Sequence, residues 1–123
     1  MERKALICLE KCLEIDQNNA FKNEILHLMV HANFRLNNCD ISIDLLKRMI
    51  ADAPSLNYIN GLGELYIKTQ KYNDFVEYLE NFSKENKTDI KTMPLDIVSK
   101  YGECLYMAGK KNKSEEYFKI ILD

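Results

Sequence analysis

The chain has 123 residues, one domain's worth, with 46% hydrophobic and 29% charged residues, a balance that allows a core and excludes general disorder. Its net charge of -2 comes from 17 Lys and Arg interspersed among 19 Asp and Glu, so no basic stripe is present to follow a phosphate backbone. No apolar run approaches the ~18 residues of a membrane span, and the Ala5–Leu9 run is cut by Glu10 and Lys11, too early for a signal peptide.

In chain order, residues 2–15 put Ala5, Leu6, Leu9, Cys12 and Leu13 on one helical face, and Asp16-Gln17-Asn18-Asn19 ends the run. Residues 20–36 place Phe21, Ile25, Leu28, Met29 and Ala32 at spacings of three and four, and Asn37-Asn38 breaks the helix. Asp40 is placed to cap the next helix, which carries Ile43, Leu46, Met49 and Ile50 before Pro54 closes it. Ser55 is placed to cap a fourth, over 56–69, with Leu62, Leu65 and Tyr66 inward. A fifth, over 72–85, repeats Phe75, Tyr78, Leu79 and Phe82. Residues 83–92 are the most linker-like stretch. Pro94 suits the first turn of a sixth helix running to Met107. Gly109 marks a turn, and 112–122 forms a last helix with Tyr117, Phe118, Ile121 and Leu122. Alternation never persists, so strands are not expected, and the short connections make sequential helices antiparallel neighbours.

Cys8 and Cys12 stand four apart on one helix, Cys39 and Cys104 stand alone, and there is no CxxC. Buried thiols in a reducing, intracellular protein are expected. A zinc site from Cys8, Cys12 and a histidine is disfavoured, because structural zinc ligands usually gather around a tight turn.

The chain also repeats itself. Leu62-Gly63-x-x-Tyr66 is followed by Tyr72, Phe75, Leu79 and Phe82; Gly102, 39 residues after Gly63, lies in Tyr101-Gly102-x-x-Leu105, followed by Gly109, Ser114, Phe118 and Ile121. Upstream, Ser42, Leu46, Met49 and Pro54 repeat the second-helix pattern, as do Ala5, Leu9, Cys12 and Gln17. A glycine in mid-helix costs about 1 kcal/mol against alanine, so two with matching neighbours point to close helix crossings. The pattern resembles the tetratricopeptide repeat (TPR) over nearly the whole chain. The resemblance implies an all-α, right-handed superhelical stack of antiparallel helix hairpins with about seven helices. It is read as one domain over 1–123: a second helix of a partial repeat at 2–19, helix pairs at 20–54, 56–87 and 94–123, and an irregular spacer at 87–93. Departures are plain. Phe75 and Phe82 stand where the family has small residues, Ile59 and Leu26 where it has an aromatic, Val30 where it has glycine, and the last step is 39 instead of about 34.

In this family the first helices line a concave groove, which here implies Glu24, His27, His31, Phe34 and Arg35, then Asn57, Asn60, Glu64, Ile67 and Lys68, then Ser99, Lys100, Glu103, Tyr106 and Met107. Such a surface suits a peptide or helix of a partner protein, giving a non-enzymatic interaction scaffold within a multiprotein assembly. One subclass grips chaperone carboxylate tails with a Lys/Asn/Arg clamp; the matching places hold His27, His31, Gly61, Asp96 and Lys100, so most of the clamp is missing. His27 and His31 form HxxxH without an evident third ligand, and no catalytic triad, phosphate loop or acid/base motif stands out, so neither metal, cofactor nor enzymatic activity is expected. Neither nucleic acid nor membrane is an expected partner, and a cytoplasmic or nuclear setting is expected. The first and last helices should leave apolar faces to stack on another copy or on neighbouring repeats of a longer chain, the alternative structural role. Met93-Pro94-Leu95-Asp96-Ile97-x-x-Lys100-Tyr101-Gly102-x-Cys104-Leu105, with Leu56-Asn57-Tyr58-Ile59-Asn60 and Glu64-Leu65-Tyr66, looks like part of the repeat-bearing subunit of the RNA polymerase III general transcription factor, an assembly scaffold.

Overall fold

The computed structural model describes residues 2–15 and 21–122; the expected stop at Asp16-Gln17-Asn18-Asn19 lies outside the described residues. Among the described residues every regular element is helical: α1 (Glu2–Ile15), α2 (Lys22–Arg35), α3 (Cys39–Asp52), α4 (Leu56–Lys68), α5 (Tyr72–Glu85), a short 3-10 turn (Ile90–Thr92), α6 (Leu95–Met107) and α7 (Lys111–Leu122). Backbone contacts gather into two compact units, Met1–Pro54 and Ser55–Asp123.

In the first unit α2 packs against both α1 and α3. Being held on two sides widens its buried arc to Ile25, Leu26, Val30, Ala32 and Asn33, whereas the expected inward residues Phe21 and Leu28 are 60% and 54% exposed. A face read from one period assumes one neighbour; α2 has two. On α1, Leu6, Leu9 and Leu13 are half-buried, but Ala5 and Cys12, also expected inward, are exposed. Asp40 does not cap α3. The cap position falls two residues earlier, at Asn38, and the helix starts at Cys39, so Asp40 lies inside its first turn, where its charge favours the helix dipole instead. Ser55 does occupy the cap position of α4 in extended conformation, without a side-chain cap bond.

In the second unit α6 packs against α4, α5 and α7. Phe75, Val76, Leu79, Ile97, Val98, Tyr101 and Leu105 are essentially fully buried, and each such side chain contributes about 1.5–3 kcal/mol of hydrophobic free energy. The linker-like stretch turns out to be partly core. Asp89 accepts a hydrogen bond from the Lys91 backbone N–H and starts the 3-10 turn, which delivers Ile90 and Met93 to 6% and 5% exposure.

Each helix pair is fitted at one crossing position. Val30 on α2, Gly63 on α4 and Gly102 on α6 are followed twelve residues later by Ser42, Phe75 and Ser114 on the next helix. Ser42, fully buried, donates from Oγ to the Val30 carbonyl at 2.8 Å. At Gly63 an added Cβ would meet the Phe75 ring at 3.0 Å and the Lys100 stem at 3.1 Å, and at Gly102 one would meet the Phe118 ring at 3.1 Å. Volume missing on one helix is supplied by its neighbour, which is why Phe75 is tolerated where a small residue was expected.

The turns share a second device. After α2, α4, α5 and α6 the chain passes through a left-handed residue, Asn37, Gln70, Lys87 or Gly109. The next backbone N–H then reaches back to a carbonyl in the helix's last turn: Asn38 to Asn33 at 2.8 Å, Lys71 to Tyr66 at 2.8 Å, Thr88 to Ser83 at 3.0 Å and Lys110 to Leu105 at 2.8 Å. These are Schellman closures, and glycine supplies only one of the four.

Candidate functional site

In the second unit, α4 and α6 present their exposed faces to one open cleft of about 380 Å³, lined by Glu64, Ile67, Lys68, Asp96, Ser99, Lys100 and Glu103. Six of these seven are residues that the family resemblance placed in the groove. Asp96 is the addition; its spacing of three and four from Ser99 and Lys100 marks the same face of α6. Asn57, Asn60, Tyr106 and Met107 lie outside the lining set.

Lys100 organises the cleft. Its stem runs over Gly63, a route that only a residue without Cβ leaves open. Its Nζ donates to Asn60 Oδ1 at 2.7 Å and lies 3.8 Å from Glu64 Oε1. The lysine side chain is 19% exposed, while the Glu64 side chain is 68% exposed and offers a carboxylate to solvent. The floor is therefore a fixed, partly shielded cation, and the walls carry Glu64, Asp96 and Glu103 against Lys68 and the apolar Ile67. The lining thus sets polar, charged and apolar groups side by side on two helices. Beside it, Tyr106 lies under Lys111, whose Nζ is 5.3 Å from the ring centroid.

A half-buried polar joint links α5, α6 and α7, with Tyr101 buried, Glu80 half-buried and Lys113 exposed. Tyr101, fully buried, donates its hydroxyl to Glu80 Oε1 at 3.0 Å, and Lys113 Nζ donates to the same oxygen at 3.1 Å. Burial raises the Glu80 carboxyl, but the hydrogen bonds from Lys113 and Tyr101 and the charges of Lys113 and Lys110 outweigh it and hold the group below the usual carboxylate range. Burial, with Glu80 opposite, pushes the Tyr101 hydroxyl well above the ordinary tyrosine value. Burial likewise raises Tyr78 to about 12, and burial beside Glu103 raises the Cys104 thiol to about 12. Cys104 is the one buried thiol; Cys8 and Cys12 are exposed and Cys39 is half-buried, against the expectation of four buried ones. Cys8 and Cys12 lie on α1, which packs with only part of its apolar face, and Cys39 is the first residue of α3.

In the first unit, Glu24, His27, His31, Phe34 and Arg35 all lie on the exposed side of α2. His27 and His31 meet edge to face, with their Nε2 atoms 3.2 Å apart. Arg35 Nη1 lies 3.5 Å from Glu2 Oε1. His31 and Arg35 also line a separate cleft of about 570 Å³ between α1 and α2. Among the described residues no group of three or more His, Cys, Asp or Glu could hold a metal ion, and no helix is long and apolar enough to cross a membrane.

No family model matches the chain, and no curated protein matches it. Solved structures do. It is similar to the one titled "MamA MSR-1 C2", with 26% identity, a TM-score of 0.66, and coverage of 98% of this chain and 66% of the other. It is also similar to "MamA AMB-1 P212121", with 24% identity, a TM-score of 0.67, and coverage of 98% and 68%. The chain thus spans about two thirds of the length of these structures. The fold is all-α and TPR-like, built of antiparallel helical hairpins.

Proposed function

We propose that this protein is a non-enzymatic scaffold that holds a peptide or helix of a partner protein against the α4/α6 face. The observation that carries the reading is the convergence of Glu64, Ile67, Lys68, Ser99, Lys100 and Glu103, together with Asp96, on one open cleft. Its polar groups sit on two helices already fixed by a buried core, so little ordering cost falls on the scaffold when it binds. A reducing, cytoplasmic or nuclear setting fits the four cysteines, which stand as free thiols. The similar solved structures give no link to the RNA polymerase III factor.

The test is capture from native extract with the wild-type chain and with the double variant Glu64→Lys, Lys68→Glu. Both positions are exposed, so the helical circular dichroism should be unchanged. The captured protein should be lost with at least about a tenfold fall in affinity, as for a hot-spot pair. Capture of the chain's own copies alone, abolished by polar substitutions at Leu6, Leu9 and Leu13, would instead establish the end-stacking alternative.

A further inference from the structure

The geometry points to a metal site on the first unit: His27 and His31 chelate one late first-row divalent ion, such as zinc, through their Nε2 atoms. The HxxxH spacing alone gives no reason to expect it, since residues one turn apart share a helix face without their ring nitrogens having to converge. Here the donor atoms do converge. The two Nε2 atoms lie 3.2 Å apart, and the rings meet edge to face with 82° between their planes and 4.6 Å between their centroids. Zinc–imidazole bonds are about 2.0–2.1 Å, so this separation subtends about 100–106° at an ion held by both nitrogens, close to the tetrahedral angle of about 109°. Two rings aimed at such an ion set their centroids about 5 Å apart. A small turn about each χ2 covers the difference.

As a hydrogen-bonded pair, one Nε2 carries a hydrogen and the other offers a lone pair. The ion takes the place of that shared hydrogen. The donor ring moves its proton to Nδ1, both Nε2 lone pairs turn to the metal, and the pair neither gains nor loses a proton. The surroundings favour this exchange. Helix α2 is packed against both α1 and α3, with Ile25, Leu26, Val30 and Ala32 buried, so the two backbone positions are already fixed and little order has to be gained on binding. Both histidines are exposed, which leaves an open approach. Nor do the neighbouring charges oppose a cation: Glu24 stands one turn before His27, and Arg35, one turn after His31, lies 3.5 Å from Glu2. Among the described residues no group of three donors gathers, so water fills the remaining positions of an open site, and imidazole suits zinc, copper and nickel there. The site lies within the first unit and is independent of the α4/α6 cleft.

The test is zinc titration of the full chain followed by heteronuclear NMR of the imidazole nitrogens. The chain has two histidines, so the spectrum contains these rings alone, and both Nε2 signals should shift together along one binding curve. Cys8 and Cys12 are exposed thiols one turn apart on α1 and compete for zinc. In Cys8→Ser, Cys12→Ser the imidazole shifts should persist, and calorimetry on that variant should give one site that fills at one equivalent. Adding His27→Gln or His31→Gln should weaken it at least about tenfold. Both substitutions together should cost hardly more than either alone, because a chelate is lost with either donor. All of these side chains are exposed, so helical circular dichroism should be unchanged. Absent shifts, shifts confined to one ring, or a single histidine substitution that leaves the affinity intact overturns the inference. So does loss of the shifts in the cysteine variant, since the thiols would then hold the ion, or an endpoint at half an equivalent, since two copies would then share it.

Discussion

Gly63→Ala is the most direct test of the crossing geometry. In an exposed helix this change stabilises by about 1 kcal/mol, because glycine loses more backbone freedom on folding than alanine. Here the new Cβ would stand 3.0 Å from Phe75 Cζ, 3.3 Å from Cε1 and 3.1 Å from Lys100 Cδ. The lysine stem is flexible and can yield. The Phe75 ring is fully buried and can move only by displacing the core around it. Overpacking of this kind costs about 1–3 kcal/mol. Set against the propensity gain, the net expectation is a loss of about 0–2 kcal/mol, centred near 1. For a unit of this size that is a fall of about 4–8 °C in melting temperature for each kcal/mol. Urea unfolding followed by circular dichroism at 222 nm measures it, with the slope checked for constancy. In a Phe75→Leu background the ring edge is gone, so Gly63→Ala should become neutral or stabilising, a coupling of about 1–2 kcal/mol. If Gly63→Ala stabilises the wild-type chain by the full propensity gain of about 1 kcal/mol, the close crossing is refuted.

Other outcomes follow from the turns and the buried groups. Gln70→Gly should raise stability by about 0.5–1 kcal/mol in thermal melts, since Gln70 sits at φ 60 and an L residue is strained there. Tyr101→Phe removes the donor to Glu80 and should cost about 1–3 kcal/mol in urea unfolding. The Cys104 thiol is raised from 9.0 to about 12, so its contribution is complete below pH 9 and is lost as pH climbs toward 12, because the unfolded thiol ionises first. Cys104→Ala should therefore flatten the fall in the urea midpoint between about pH 8.5 and 10.5, leaving the part due to tyrosines. Glu80 runs the opposite way: its lowered carboxyl stabilises above the ordinary value of 4.5, and that stabilisation fades as pH falls below it. Glu80→Gln should flatten the acid limb of the unfolding curve.

The positions of the helices were legible because each stretch pairs a long apolar period with a strong break, and α5 begins and ends where the spacing of Phe75, Leu79 and Phe82 places it. The direction each helix faces was less so. Leu28 fits the period of α2 as well as Leu26 does, and only the presence of helices on two sides decides between them. Ile90 and Met93 were hidden by their polar neighbours; their burial depends on a backbone turn set by Asp89, which no periodicity reports. Six of the seven residues lining the α4/α6 cleft could be named beforehand only because the family resemblance assigns the exposed faces of the first helices to a groove. The grip of Lys100 on Asn60, forty positions apart, could not, because it exists only after two helices have packed.

The trading of bulk across each hairpin has a consequence for how such a chain diverges. A pattern that scores positions one at a time penalises Val30 and Phe75 without regard to the residue each one crosses, Ser42 and Gly63 respectively. The packed pair meets only the sum, and that sum is kept when one side swells as the other shrinks. Sequence change can thus drift along a line of constant interior volume, losing its written signature while its shape is retained.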